Sequence, residues 1–387
     1  MKRKLVHFVT ILLHKSGLQL VKQKTPYHQH WILVGLLSYF TWAGTSTVIL
    51  SLVSEDISIY RYINPIPYVS IGVIISGGVL IMVKHKEYIS EMLHQIDQNV
   101  FVYPDEDLLD MEYEWYLDEG NLIIIMVVIF CIQMGDLFIL CIPAVYEFYN
   151  YGRIHTLIYP GWSPWSLESI GYQLATMVVQ FFGTASGLWL NQMLVMPVLL
   201  VLCEYLRQYK RLKKAISLVS YRSKIVGGDF DQNMKRNIVH CVVHMQKLRK
   251  TFYLFEVWFS KLFSCELAVC ALSLAIGLFL TTSAASLSKT YNLIVVVVFV
   301  NVNLLARCLM GEIFFDLNDE IAGAIFTEIE WYNLNKEQQK LLIMFHHMAC
   351  QPLTLFGFQI FAVTRVMFAK ITRATYSVFN VMKASLN

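Results

Sequence analysis

Charge is what this sequence has least of. Asp, Glu, Lys and Arg make up 15% of its 387 residues, where soluble domains carry roughly 25%. That scarcity excludes a disordered chain, a fibrous repeat and a plain soluble globule. Neither sign dominates: 31 basic residues against 28 acidic ones leave a net +3, which gives no electrostatic footing for nucleic acid. The eight cysteines lie scattered, without short metal-type spacing. The chain has no Gly-rich phosphate loop, no nucleophile elbow and no pair of catalytic carboxylates, so it does not read as an enzyme and no cofactor is expected. Internal repeats and low-complexity tracts are missing too. What is present is apolar: 56% hydrophobic and 14% aromatic residues, with a mean hydropathy of +0.51. This is the composition of a membrane protein.

Seven stretches qualify as spans, which need about 20 apolar residues each. They are Trp31 to Val53, Ile66 to Val83, Leu122 to Tyr146 with the single charge Asp136, Ser169 to Cys203, Leu267 to Ser288, Thr290 to Ala306, and Leu341 to Thr364. The fourth would reach about 50 Å at 1.5 Å per residue, against a hydrocarbon core of about 30 Å. It should tilt or project beyond the membrane, with Pro197 as a kink site. The start, MKRKLVHFVTILLHKSG, has the basic head of a signal peptide. His7 and His14 interrupt its apolar run and no small-residue cleavage site follows, which favours an amphipathic helix on the cytoplasmic face. Gly227 and Gly228 separate the basic stretch Arg207 to Lys224 from a second amphipathic helix, Gln232 to Ser264, expected to extend span five. The acidic segment PDEDLLDMEYEWYLDEG reads as a solvated helical face.

Lys and Arg set the orientation. The segment before span one and the loops after spans two, four and six hold 23 of them, leaving aside Arg307 at the end of span six, and the alternate loops hold only Arg61, Arg153 and Lys289. The N-terminus is therefore expected inside the cell and, after seven spans, the C-terminus outside. The expected fold is all-α, a seven-helix membrane protein inverted relative to G-protein-coupled receptors. The string Asn64-Pro65-Ile66-Pro67-Tyr68 matches the last-helix signature of that receptor class, but here it opens the second span. No Asp-Arg-Tyr follows span three, and no cysteine lies in the expected outer loops.

Polar groups inside spans are costly and therefore informative. Asp136, one turn after Gln133, either lines a ligand cavity or fixes helix packing. Span four carries Tyr172, Gln173, Thr176, Gln180, Thr184 and Ser186, too polar a set for a lipid-facing helix. Gly72, Gly77 and Gly78 in span two permit close helix approach, and Asn292, Asn301 and Asn303 mark the inward side of span six. His240 and His244 stand one helical turn apart, a spacing that can suit two metal ligands, yet a polar stripe on a cytoplasmic helix is the better explanation and Cys241 sits where a zinc protease needs Glu. His346 and His347 diverge on a helix. After Pro352 the sequence is continuous enough for one long helix carrying Arg365, Lys370, Arg373 and Lys383 beside Thr364, Thr372, Thr375 and Ser377. A helix partly facing water within the membrane is a pore-liner profile; the alternative is a short span with an exposed tail.

From Cys308 onward the residues resemble the insect odorant receptor family. The pattern is Gly311-Glu312 after span six, Trp331 some twenty residues on, Gln351-Pro352 before the last helix, and the aromatic stretch at Thr375-Tyr376. The outer loop Tyr159 to Glu168, YPGWSPWSLE, is similar to that family's loop before span four. Gustatory receptors share the architecture, but their Thr-Tyr is followed after five residues by Gln-Phe, where this chain has Met382-Lys383. The loop between spans four and five is too short for the shared co-receptor, so the chain resembles a tuning subunit.

The resemblance implies a ligand-gated, non-selective cation channel in the plasma membrane of an olfactory neuron dendrite. Four subunits, including co-receptor chains, would surround one pore and open when a small hydrophobic volatile binds. A gustatory-type channel of the same superfamily is the alternative, with a transporter a more distant one because no paired halves occur. It further implies a division of the chain: spans one to six within residues 1–306 hold the odorant pocket in their outer half, 204–264 and 307–350 form a cytoplasmic anchor, and 351–387 line the pore. The implied pocket comprises Tyr68, Ile71 and Ile75 from span two; Met134, Leu137, Phe138 and Cys141 from span three; Tyr172, Gln173, Thr176 and Gln180 from span four; and Tyr291 and Val295 from span six. The implied pore residues are Thr375, Phe379, Met382 and Lys383, of which Phe379 or Met382 would form an apolar gate, while Lys383 is unexpected beside a cation path.

Overall fold

The computed structural model describes residues 4–16, 18, 35, 37, 41, 45–49, 52, 66–104, 109, 118–154, 156–159, 161–163, 165, 167–225, 227–283 and 287–384. In chain order the helices are α1 (Lys4–Lys15), α2 (Ile66–Lys84), α3 (Lys86–Asp97), α4 (Glu119–Tyr151), α5 (Ile170–Ser217), α6 (Val219–Ile225), α7 (Phe230–Ser283), α8 (Leu287–Glu328), α9 (Lys336–Ala349) and α10 (Arg365–Ala384). A two-stranded hairpin, β1 (Phe356–Gly357) and β2 (Phe361–Ala362), precedes α10. Among the described residues five helices, α2, α4, α5, α7 and α8, are long and apolar enough to cross a membrane. The first expected span, Trp31 to Val53, and the acidic segment after span two fall mostly outside the described residues; the positions described between Gly35 and Leu52 are helical.

Local chemistry sets the helix ends. Asp118 caps α4 by accepting from Gly120 N at 3.0 Å, and Gly152 ends it at φ 63°, a left-handed conformation that costs glycine nothing. Asn335 and Gln338 form a reciprocal capping box at the start of α9. Gly227 and Gly228, at φ 70° and 85°, turn the chain between α6 and α7 where the sequence breaks its helical pattern.

The helix α7, 54 residues long, is the axis of the fold and packs against α2, α3, α5, α6, α8, α9, β1 and α10. At 1.5 Å per residue it spans about 80 Å, so its N-terminal half stands clear of any bilayer. There the core is aromatic: the rings of Tyr205, Phe252 and Phe314 meet at centroid distances of 5.2–5.9 Å. This region is called the polar end below. Helix α1 buries Leu5, Val6, Val9 and Leu13 against α4 and α5, as its amphipathic sequence requires.

Small residues allow the helices to close in. A Cβ on Gly78 would lie 2.7 Å from Leu194 Cδ1 and 2.8 Å from Leu262 Cδ1, and one on Gly277 would lie 2.4 Å from Val297 Cγ2. Gly72 behaves differently: nothing lies within 4 Å of its Cβ position.

The last segment corrects the sequence expectation twice. Leu341 to Thr364 is not one span, and no single helix runs on from Pro352. Helix α9 stops at Ala349, the hairpin follows, and the final helix begins only at Arg365. The hairpin turns through Phe358 and Gln359 at φ 53° and 57°, and Ile360 N donates to Gly357 O at 3.1 Å inside the three-residue loop between the paired Gly357 and Phe361. Val363 N donates to Leu355 O at 2.9 Å and Phe358 N donates to Ser264 Oγ at 2.5 Å, which fastens the hairpin to itself and to α7. The segment Thr354 to Val363 is rich in aromatic and β-branched residues, and those suit a strand better than a helix.

The motif residues hold this junction. Gly311 faces the backbone of Val363 so closely that a Cβ would lie 2.1 Å from its carbonyl oxygen. Next to it, Glu312 accepts from Arg365 N at 2.9 Å and from Arg365 Nη2 at 2.6 Å. These bonds hold the Glu312 carboxyl below the usual carboxylate range. Gln351 O accepts from Asn318 Nδ2 at 3.2 Å and from Arg249 Nη2. The Gly-Glu pair thus docks the start of α10, and Gln351 ties the chain after α9 to α7 and α8.

Candidate functional site

A loop between α4 and α5 folds back over the ends of α2, α4, α5 and α8, and polar side chains of α5 hold it there. Gln173 Oε1 accepts from Ile154 N at 2.9 Å while its Nε2 donates to Leu167 O at 2.7 Å. Gln180 Nε2 donates to Tyr159 O at 2.9 Å, and Trp165 Nε1 donates to Thr176 Oγ1 at 2.9 Å. From α8, Asn292 Nδ2 donates to Leu157 O at 2.9 Å and to Ile158 O at 3.1 Å. Thr156 N and Oγ1 donate to the Glu147 carboxylate at 2.7 and 2.5 Å. Each buried amide at this apolar end finds a backbone partner in the loop, as burial demands.

Beneath that roof lies a cavity of about 100 Å³. It is lined by Thr47, Tyr68, Ile71, Gly72, Leu140, Ile158, Tyr159, Gly183, Thr184 and Val296. Most of that wall is carbon. An apolar void of about 150 Å³ takes up benzene, so this one is sized for a molecule of a few heavy atoms. The bare Cα of Gly72 accounts for part of the space.

Of the thirteen pocket residues expected from sequence, Tyr68 and Ile71 line this cavity. Gln173, Thr176 and Gln180 build its roof, and Thr176 and Gln180 also border a much smaller pocket under Trp162 and Trp165. Tyr172 is exposed and stacks on Trp165 at a centroid distance of 6.3 Å. Cys141 packs against Ile158 and Tyr159. Leu137 is buried, Met134 is half-buried and Phe138 is exposed beside Phe181. Tyr291 and Val295 are half-buried on α8 away from the wall, and Ile75 lies deeper, at a second chamber.

Several wall residues are not among those thirteen. Leu140 and Val296 each sit one position from a residue that was, so helix register alone separates them. Gly183 and Thr184 lie one turn beyond Gln180, and Tyr159 belongs to the loop motif. Asp136 is half-buried on α4 and does not line the cavity. Its neighbour Gln133 accepts from Asn191 Nδ2 at 3.4 Å and from Gln192 Nε2, which ties α4 to α5.

On α10, Thr375 is buried, and Phe379 and Met382 pack on the cluster Ile276, Phe279, Leu280 and Leu293. Tyr68 packs on the same cluster. One residue therefore touches both the cavity and the layer that seats the tip of the last helix. Lys383 is exposed, and so is the opposite face of α10, with Val366, Tyr376, Val378 and Val381.

Among the described residues no group of three or more His, Cys, Asp and Glu side chains could hold a metal ion. The histidine pair of α7 is separated by function. His244 is fully buried, with Nδ1 2.9 Å from Tyr103 Oη and Nε2 3.0 Å from Gln208 Oε1. Burial, with Arg211 and Lys247 nearby, pushes its pKa down to about 3, so it is neutral and structural.

Residues 68–376 match the family model described as 7tm Odorant receptor. No curated protein sequence matches the chain. Among solved structures the fold is similar to the insect olfactory receptor OR5 from Machilis hrabei, with a TM-score of 0.75 at 12% identity, covering 98% of this chain and 97% of that one. The same receptor in complex with eugenol gives a TM-score of 0.70 at 12% identity, covering 100% and 98%.

Proposed function

Because this chain belongs to the seven-transmembrane odorant receptor family, we propose that it is the odorant-binding, tuning subunit of a ligand-gated cation channel. It is a multi-pass membrane protein of receptor type rather than an enzyme. In this reading it works at the plasma membrane of a sensory dendrite, with its N-terminus in the cytoplasm. Co-receptor chains complete a tetramer, and helix α10, rather than everything from residue 351, contributes to the pore. The polar end, including 204–264 and 307–350, anchors the subunits, and residues 1–306 carry the ligand site.

The observation that carries this reading is the position of Tyr68. It lines the roofed cavity and packs on the cluster that seats Phe379 and Met382. A ligand that fits the cavity better when this layer has shifted favours the shifted state by its difference in affinity, and the pore opens by population shift. Apolar burial at about 25 cal/mol per Å² supplies most of the affinity. The eugenol-bound relative supports a small volatile as ligand, and the carbon-rich wall favours one that is largely apolar.

Filling the cavity tests the assignment of the site. Gly72→Val places its Cβ in open space, so the receptor should reach the surface normally. Its half-maximal odorant concentration should rise at least tenfold, about 1.4 kcal/mol. An unchanged dose-response curve at equal surface expression would place the ligand elsewhere.

A further inference from the structure

Where α2 leaves the apolar layer, positive charge collects without a counter-charge. Lys84 ends α2, and Lys261 of α7 lies shortly before Leu267, where the uncharged run of that helix opens; both lysines are exposed. His85 is buried between them, its Nε2 3.0 Å from Lys261 Nζ. An ammonium has only donors, so Lys261 donates and the ring accepts. Burial, with Lys261 and Lys84 close by, lowers the His85 pKa, so the ring stays neutral. Neither lysine forms an ion pair among the described residues, and the exposed Glu87 of α3 pairs with neither. Lys261 therefore keeps its full charge and its remaining donors, in a position that a buried ring fixes. Apolar stripes run from both lysines. Val73 and Leu80 share the face of Lys84 on α2, and Leu272 shares the face of Lys261 on α7; all three are exposed. The helices run antiparallel here, since Ser273 Oγ donates to Ser70 Oγ at 2.6 Å at the far end of the same seam. The stripes thus lie side by side, and between them a Cβ on Gly77 would be 3.4 Å from Cys265 Sγ.

We propose that the seam between α2 and α7 binds an anionic phospholipid, with its phosphate on Lys261 and Lys84 and an acyl chain over Val73, Leu80 and Leu272. The lysines supply charge and donors for the phosphate, and His85 holds Lys261 in place as a positioning residue. A soluble phosphate ester would use only the lysines. The exposed stripes that continue from them fit a headgroup with a chain attached. Tyr88, exposed with its ring 5.8 Å from that of His85, adds the aromatic ring common at headgroup level. The distribution of Lys and Arg assigns this end to the cytoplasm, and the cytoplasmic leaflet is the anionic one. This site goes beyond the odorant-receptor reading and does not depend on it.

The test is thermal stability of the purified receptor complex in detergent, titrated with phosphatidylserine, phosphatidylcholine or the chain-free headgroup glycerophosphoserine. Phosphatidylserine should raise the midpoint of the native complex, and the other two should not. Lys261→Gln and Lys84→Gln should each raise the half-saturating phosphatidylserine concentration about fivefold, the equivalent of about 1 kcal/mol per lysine. Lys15→Gln, an exposed lysine of α1 outside the seam, should leave it unchanged. Equal effects of phosphatidylserine and phosphatidylcholine overturn the proposal. So does equal protection by glycerophosphoserine, which would make this a site for a free phosphate ester. Equal weakening by Lys15→Gln would show diffuse surface attraction and overturns it as well. Lys84 is exposed, so its variant decides the matter even if Lys261→Gln fails to assemble: an unchanged titration curve in Lys84→Gln contradicts the site. No odorant enters the measurement, so its outcome is independent of whether any volatile opens the channel.

Discussion

Arg307→Met alone should cost the folded receptor about 3–5 kcal/mol, because it leaves the Glu266 carboxylate buried and unpaired. Both side chains sit between α7 and α8 under one-tenth exposed, where water does not replace the lost partner. Pairing the change with Glu266→Gln should recover most of that loss, since a buried ion pair is worth little relative to neutral groups of the same shape. The check is thermal stability of the purified complex by fluorescence-detected size exclusion: a large drop for the single variant, and a near-native value for the double one. Equal behaviour of the two would mean that the pair is more hydrated than its burial implies.

Gly311→Ala should be the most damaging exchange of a single hydrogen for a methyl. The added Cβ meets Val363 O at 2.1 Å and Val363 C at 3.0 Å. Both are backbone atoms, and the hairpin bond from Val363 N to Leu355 O holds them in place. Overpacking of this kind costs roughly 1–3 kcal/mol where side chains give way, and here the backbone of the hairpin has to move. The shift would also part Glu312 from Arg365, so α10 should lose its seating before the bundle unfolds. The measurement is paired: surface expression together with odorant-evoked current. Current should be lost more completely than expression. Native current from Gly311→Ala would show that α10 tolerates a displaced start.

Much of the architecture was legible in the sequence, and the reason is hydropathy. The apolar runs 66–83, 122–146, 169–203 and 290–306 fall within helices, and the amphipathic stretch 232–264 continues the fifth span as a single helix. Gly227 and Gly228 mark a real turn because two adjacent glycines have little else to do in a helical region. The last segment departs from the span expectation because its charge-free length is not helical length. Thr354 to Val363 is uncharged, but it is apolar through β-formers, and tertiary contacts with Ser264 and Gly311 settle it as a hairpin. The short helix Lys86–Asp97 has no boundary signal in the sequence, because only His85 separates it from α2.

The site was less legible. Sequence marked α5 as too polar for lipid, correctly as to cost, but the same amides serve a loop as readily as a ligand. Gln173, Thr176 and Gln180 are spent on the roof. The opposite lesson comes from Gly72, which sequence grouped with Gly77 and Gly78 as a close-packing residue. Gly78 does meet Leu194 and Leu262, whereas Gly72 opens the cavity. Nothing local separates the two roles: both are glycines on one apolar helix, and only the neighbours across the gap decide between a contact and a void.

In the proposed reading this chain confers ligand-gated current on a complex it does not form alone. Whole-cell recording during a panel of volatiles, in cells expressing the chain with and without the insect co-receptor, tests it most directly. An odorant-evoked cation current that requires both chains is expected. Surface-expressed complexes that stay silent to a broad panel, or a response carried by the co-receptor without this chain, would contradict it.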